Sequence, residues 1–308
     1  MGVIYVVSVE EAAGKTAICA GLAKNIAGSG RKVGYLKPSA AEGGDNGDIA
    51  FMKQVLGFTG DAGTSNGHDT ILAEGRLGPD AVDALSQKLY GAAREMKAKV
   101  IAVEAYTGDT VRYIDVYRGF GDSLLGVIVN KVPASQAARV EAEASARCKE
   151  AGITLFGILP ESRALLAISV GELAGAVQGT ILNNADKDAE LVENYMLGAM
   201  VVDSGLDYFG RRKNKAAIIR QDRPDMQLAA LETSTACLVL SGSSEPPLYN
   251  VQQKAESRGI PIIATETPVG DIVGHIEAAL DAARMKQEKK LATLADITKQ
   301  NLDLAAVA

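Results

Sequence analysis

A β-branched run, Val3-Ile-Tyr-Val-Val7, breaks at Ser8 into a short loop that closes on Gly14-Lys15-Thr16. Apolar residues then recur at helical spacing as Ile18, Leu22 and Ile26, and the pattern stops at Gly28-Ser-Gly30. A buried strand that feeds a helix through a glycine-closed loop admits few folds, because the strand must lie inside a sheet and the helix must pack back on it. Successive backbone N–H groups at such a helix start form a concave site for an anion. Lys15 is placed to neutralise β and γ phosphate oxygens, and Thr16 to offer a hydroxyl to Mg²⁺.

The spacing departs from the standard phosphate-loop pattern. The glycine expected five residues before the second glycine is replaced by Val9, so the loop that starts at Ser8 is one residue longer. Together with Gly34-Tyr-Leu-Lys-Pro38, this loop resembles the dethiobiotin synthetase branch of P-loop proteins. It is closer still to the dethiobiotin-synthetase-like domain at the N-terminus of some phosphotransacetylases and in stand-alone proteins with a DRTGG domain. Ser8, Glu10 and the Gly-Lys-Thr close follow that group's habit. The resemblance implies ATP and Mg²⁺ as cofactors, with Ser8, Glu10, Gly14, Lys15, Thr16 and Ala17 at the nucleotide.

Downstream, strands alternate with helices. The sequence predicts a helix opened by Asp48, a strand His68–Gly75 and a helix Pro79–Met96 that turns Val82, Leu85, Leu89 and Ala93 inward. The strand Lys99–Tyr106, a turn at 106–110 and a short helix Val111–Tyr117 come next. A strand ending at Asn130, a helix 134–151 and a strand 153–160 complete the series. Such alternation implies a parallel sheet with helices on both faces, with the ligand at the carboxyl ends of the strands. The polar stretch Ala41–Asp48 reads as a loop over the site, and Gly57–Gly67 as a linker.

The resemblance assigns further roles. Glu74 matches the family's strand-end Glu-Gly and is the first metal candidate, beside Thr16. Asp48 has two readings, helix cap and magnesium partner. Asn130 is either a strand-end turn residue or a contact to the adenine edge, and the loop after Pro160 flanks the base in the family. In dethiobiotin synthetase the lysine that matches Lys37 helps bind the substrate, which makes Lys15 and Lys37 the catalytic candidates. The segment between the Asp48 helix and the Glu74 strand is shorter than in the family, so part of the substrate wall is missing.

After about residue 167 the character changes. A short helix from Ser169, then Thr180-Ile-Leu and a polar stretch Asn183–Asp188, lead to a helix Ala189–Met200, whose Leu191, Val192, Tyr195 and Met196 form an amphipathic stripe. A strand ending at Arg220, the Asp222-Arg223-Pro224-Asp225 turn and a helix from Met226 follow. Strand 235–242, helix 248–258 and strand 260–267 then finish a second small α/β unit. It resembles the DRTGG domain, whose first two letters Asp222-Arg223 keep, and it implies a small-molecule effector. The tail 284–308 reads as a Lys-rich helix with a solvated face.

The fold class is therefore α/β, a P-loop NTPase-like parallel sheet with helices on both faces followed by a smaller DRTGG-like α/β domain. The expected boundaries are 1–167, 168–283 and a helical tail 284–308. A net charge of −6 without a basic stripe argues against a nucleic-acid partner. Three separated cysteines and two distant histidines give no disulfide framework, zinc site or triad. The apolar runs are shorter than the ~20 residues of a membrane helix, so a cytoplasmic protein without a membrane partner is expected, and by resemblance a dimer. The function expected is an ATP-binding regulatory or sensory protein. The alternatives are an ATP-dependent ligase or phosphotransferase of the dethiobiotin synthetase type, acting on a small carboxylate or amine, and a nucleotide-free scaffold.

Overall fold

The apolar run after Met1 forms the centre of a six-stranded sheet. In the computed structural model, which describes residues 2–37, 47–56, 67–199, 205–282 and 287–307, the chain divides into two compact units. The first comprises Met1–Ser162 together with Met285–Ala308, and the second Arg163–Arg284. The expected loop at 41–48, apart from its last two residues, and most of the 57–67 linker lie outside the described residues.

In the first unit β1 (Gly2–Ser8) leads into α1 (Lys15–Gly28), β2 (Val33–Leu36), α2 (Gly47–Leu56) and β3 (Thr70–Arg76). Next come α3 (Ala84–Glu95), β4 (Lys99–Ala105), α4 (Ile114–Arg118), β5 (Leu124–Val132), α5 (Ala137–Ala151) and β6 (Leu155–Pro160). The strands are parallel, in the order β2-β3-β1-β4-β5-β6. Alternate side chains serve opposite faces of the sheet. Tyr5 and Val7 pack in a core with Tyr90, Val116, Tyr117 and Val140 from α3, α4 and α5, while Ile4 and Val6 are equally buried on the other face. Since the chain leaves β1 for β2 and β3 on one side and for β4 to β6 on the other, the loop after β1 stands where the strand order reverses. In open parallel sheets that is the place for a ligand.

Two expectations for this unit need correction. Asp83 caps α3 by accepting from Leu85 N at 2.8 Å, so the helix starts five residues later than Pro79 and turns Ser86, Tyr90 and Ala93 to the core. Val82 and Leu85 stay outside, at 85% and 51% exposure. The tail is not a solvated helix. Its α12 (Lys290–Asn301) packs on α1, with Leu291 and Leu294 buried. Gly21 lets the two helices approach, because a Cβ there would lie 2.7 Å from Thr298 Cγ2. Asn25 fastens the contact by donating from Nδ2 to Ala295 O and Thr298 Oγ1, each at 2.9 Å.

The second unit opens with α6 (Arg163–Leu166), β7 (Ile168–Ser169), α7 (Val170–Ala176) and β8 (Thr180–Ile181). Then follow β9 (Leu191–Val192), β10 (Asn194–Leu197), α8 (Gly205–Gly210), β11 (Lys215–Arg220) and α9 (Pro224–Leu231). The unit ends with β12 (Thr235–Ser241), α10 (Tyr249–Arg258), β13 (Ile262–Thr265) and α11 (Val269–Ala282). Its sheet runs β10-β11-β12-β13-β8, with β8 antiparallel. The helix expected over 189–200 is instead two short strands. Residues 194–197 pair with β11, which sends the neighbours Tyr195 and Met196 to opposite cores, a two-residue alternation that mimics a helical stripe over so short a stretch.

Candidate functional site

Ser8 is fully buried at the end of β1, and its hydroxyl donates to Glu10 O. The Lys15 ammonium folds back into the loop and donates to Ser8 Oγ at 2.6 Å and Glu10 O at 3.1 Å. Burial lowers the Lys15 pKa; the Glu74 carboxylate opposes this and the Lys37 ammonium adds to it. An ammonium drawn from water and held near a second cation gains from an anion placed beside it. Gly14 has a left-handed backbone, φ +96°, and a side chain there would collide with the Asn130 amide. No side chain caps α1, which leaves the helix start, with its positive dipole end, to a ligand.

The three metal candidates converge, and an ammonium lies among them. Thr16 Oγ1 donates to Asp48 Oδ2 at 3.3 Å, Lys37 pairs with the same Asp48 oxygen, and Lys37 Nζ lies 3.9 Å from Glu74 Oε2. Asp48 and Glu74 are 7% and 4% exposed. Tyr35 donates to Glu74 Oε1 at 2.6 Å, and burial, then the Glu74 charge, pushes its phenol pKa well up. Asp48 thus reaches the loop from the first turn of α2, so its side chain serves the cluster. Two carboxylates and a hydroxyl are the hard oxygen donors that Mg²⁺ takes, with water and phosphate oxygens completing its shell. Among the described residues no group of three or more His, Cys, Asp or Glu could hold a metal ion.

Two acidic residues in a phosphate loop oppose an anion unless their charge is turned away or cancelled. Glu11 pairs with Arg76 at 2.5 Å on the surface. Glu10 points to the end of β4, where Oε2 accepts from Ala105 N at 3.0 Å and Oε1 from Arg112 Nη2 at 2.5 Å. Glu104, 1% exposed, accepts from Arg112 N and Tyr113 N, each at 3.0 Å, and so fixes the turn that carries the arginine. Burial works against the Arg112 charge, but Glu10 and then Glu104 outweigh it and raise its pKa. Sequence reasoning missed Arg112, Glu104 and Tyr35.

The remaining candidates are more widely spread. Asn130 lies within β5, which runs on to Val132 instead of ending at Asn130; its Oδ1 accepts from Lys131 N at 2.9 Å, while its Nδ2 donates to Ala13 O at 2.8 Å and so supports the loop. Ala17 lies half-buried in the first turn of α1. Pro160 ends β6 opposite Val132, at the carboxyl edge of the same sheet. In the second unit Arg220 pairs with Asp222 at 2.5 Å and Arg223 with Asp225 at 2.9 Å. The buried Gln227 Nε2 donates to Arg220 O and Gln221 O at 2.9 and 3.1 Å, which pins that turn after β11. All three cysteines are free and buried.

A lysine-threonine loop at the switch point of a parallel sheet with helices on both faces is the arrangement of a P-loop NTPase-like α/β fold. The AAA domain family model matches residues 3–67 and the DRTGG domain model residues 172–279. The chain thus joins a P-loop domain of the dethiobiotin-synthetase-like family to a DRTGG domain. Among solved structures, it is similar to the CBS and DRTGG domains of the regulatory region of Clostridium perfringens pyrophosphatase, complexed with the activator diadenosine tetraphosphate. That alignment has 15% identity and a TM-score of 0.33, over 51% of this chain and 75% of that one. The cell division protein FtsY of Thermotoga maritima aligns at 21% identity and TM-score 0.40, over 52% of this chain and 62% of that one. MinD of Pyrococcus horikoshii, complexed with Mg-ADP, aligns at 16% identity and TM-score 0.34, over 53% and 83%. Among the described residues no helix is long and apolar enough to cross a membrane.

Proposed function

We propose that this chain is a nucleotide-binding regulatory protein, in which ATP or a related nucleotide held with Mg²⁺ by the first unit biases the contacts of the second. The observation that carries this reading is the gathering of Lys15, Thr16, Lys37, Asp48 and Glu74 at the mouth of one phosphate loop. Lys15 and the α1 start take the phosphates, Thr16, Asp48 and Glu74 hold the cation, and Gly14 with Asn130 keeps the loop open. Bound Mg²⁺ would supply charge neutralisation at the phosphate oxygens. The DRTGG match to the second unit supports a regulatory role, as does the resemblance to the N-terminal region of phosphotransacetylase. A DRTGG domain is part of the regulatory region of the C. perfringens pyrophosphatase, whose activator is a nucleotide. We place the protein in the cytoplasm and expect a dimer, which sedimentation at micromolar concentration checks.

A second reading is favoured by Lys37. Its ammonium at the loop mouth would bind a small carboxylate in an ATP-dependent ligase or phosphotransferase of the dethiobiotin synthetase type. Titration of Mg·ATP into wild type and Lys15→Ala, with phosphate release measured on the same samples, decides between the two. Binding without turnover supports the sensor, and turnover that rises with a small carboxylate or amine supports the ligase. No binding at millimolar ATP refutes both.

A further inference from the structure

We propose that Arg112 is a positioning residue of the phosphate loop, which cancels the Glu10 carboxylate and holds it at the end of β4, turned from the place of an anion. The inference rests on the nucleotide reading given above. Glu10 has two opposed effects on the site. Its main-chain oxygen accepts from both Ser8 Oγ and Lys15 Nζ, so the position of that carbonyl sets the position of the lysine. Its carboxylate, two residues beyond β1, is an anion in a loop built for anions.

Arg112 resolves the conflict. Its Nη2 donates to Glu10 Oε1 at 2.5 Å and to Ala105 O at 3.2 Å, while Ala105 N donates to the other Glu10 oxygen at 3.0 Å. The guanidinium is itself held from behind. Its Nε lies 3.8 Å from Glu104 Oε2, its own backbone N–H is bound by Glu104, and its Cζ lies 5.3 Å from the centre of the Tyr113 ring. Arg112 is about a quarter exposed, Glu10 is similar and Glu104 is buried, so bulk water screens the Glu10–Arg112 pair only in part. Without the arginine, the Glu10 carboxylate would lose its ion-pair partner and be held at the end of β4 by the Ala105 N–H alone. The phosphates would then meet an uncancelled anion.

The test is calorimetric titration of Mg·ATP into the wild-type chain, Arg112→Ala and the double variant Arg112→Ala/Glu10→Gln, with melting curves to confirm that each is folded. An uncancelled unit charge within about a Debye length of bound phosphates repels them, so we expect Arg112→Ala to bind roughly tenfold or more weakly at low salt. The double variant, which lacks both charges, returns to within about threefold of wild type, because the Glu10 carboxylate is the source of the defect. Arg112→Ala within threefold of wild type overturns the inference. So does a double variant as weak as the single one, which would make Arg112 a structural prop alone. A wild type that binds no nucleotide overturns this inference together with the nucleotide reading, whereas a binding wild type with either of the other two results overturns this inference alone.

Discussion

Replacing Lys37 with methionine keeps the length of the side chain and removes the cation that lies between Asp48 and Glu74. The two carboxylates are 7% and 4% exposed, and the ammonium pairs directly with the first and lies 3.9 Å from the second. At that range, with an effective dielectric of about 20, each contact is an attraction of about 4 kcal/mol before desolvation. Breaking one partner out of a buried pair costs about 3–5 kcal/mol. Because the Lys37 side chain is 20% exposed, water shares part of its load. Allowing for that water, we expect a loss of about 2–4 kcal/mol. For a unit of this size that lowers the melting temperature by roughly 5–15 °C. The assay is thermal unfolding in EDTA and again in millimolar Mg²⁺, with Lys37→Arg as the variant that keeps the charge. The loss should appear in EDTA, shrink in Mg²⁺ and be small in the arginine variant, since a divalent cation takes the vacated place between the same oxygens. Equal stability of Lys37→Met and wild type in EDTA would refute the reasoning, as would equal stabilisation of both by Mg²⁺.

Two further outcomes concern packing and pH. Leu294, 2% exposed in the contact between α12 and α1, should cost about 2–4 kcal/mol of first-unit stability when cut to alanine, read by urea unfolding; a change under about 0.5 kcal/mol would mean that α12 does not brace α1. Lys215 is fully buried, donates to Thr233 Oγ1 and Ser234 O at 2.8 and 2.9 Å, and is pushed down by burial to about 8 from 10.5. Between those values the unfolded chain binds more protons than the folded one, so stability gains as pH rises through the window. The wild type should therefore improve against Lys215→Met by about 2 kcal/mol from pH 8 to 10.5, and a flat difference would mean that Lys215 stays charged.

The parts legible in the sequence share a physical reason. The run Val3–Val7, the Gly-Lys-Thr close and the Ile18-Leu22-Ile26 spacing agree at every level, so strand, loop and helix follow from local pattern alone. The same holds for β11 and α9, where Pro224 opens the helix at its first position. Lys37, Asp48 and Glu74 were visible through resemblance, and the fold brings them to Thr16 from three separate elements. Arg112 was not legible. It meets Glu10 across 102 residues of chain, and nothing in Thr110-Val-Arg-Tyr113 marks the arginine as different from a surface one. Residues 191–197 were misread because a two-residue alternation and a helical stripe coincide over so few positions, and pairing with β11 decided the matter. In the tail, the lysine-rich run before and at the start of α12 hid the leucines that pack on α1; Lys290 itself is buried, and Gly21 of α1 marks the close approach only once both helices are in place.

The central claim is that the loop from Ser8 to Thr16 binds nucleotide through Lys15. Titration calorimetry of Mg·ATP into the wild type and Lys15→Ala tests it most directly. Saturable binding to the wild type that disappears in Lys15→Ala is the result predicted, since the variant removes the one ammonium held inside the loop. Equal binding by both proteins, or none by the wild type at millimolar ATP, would contradict it.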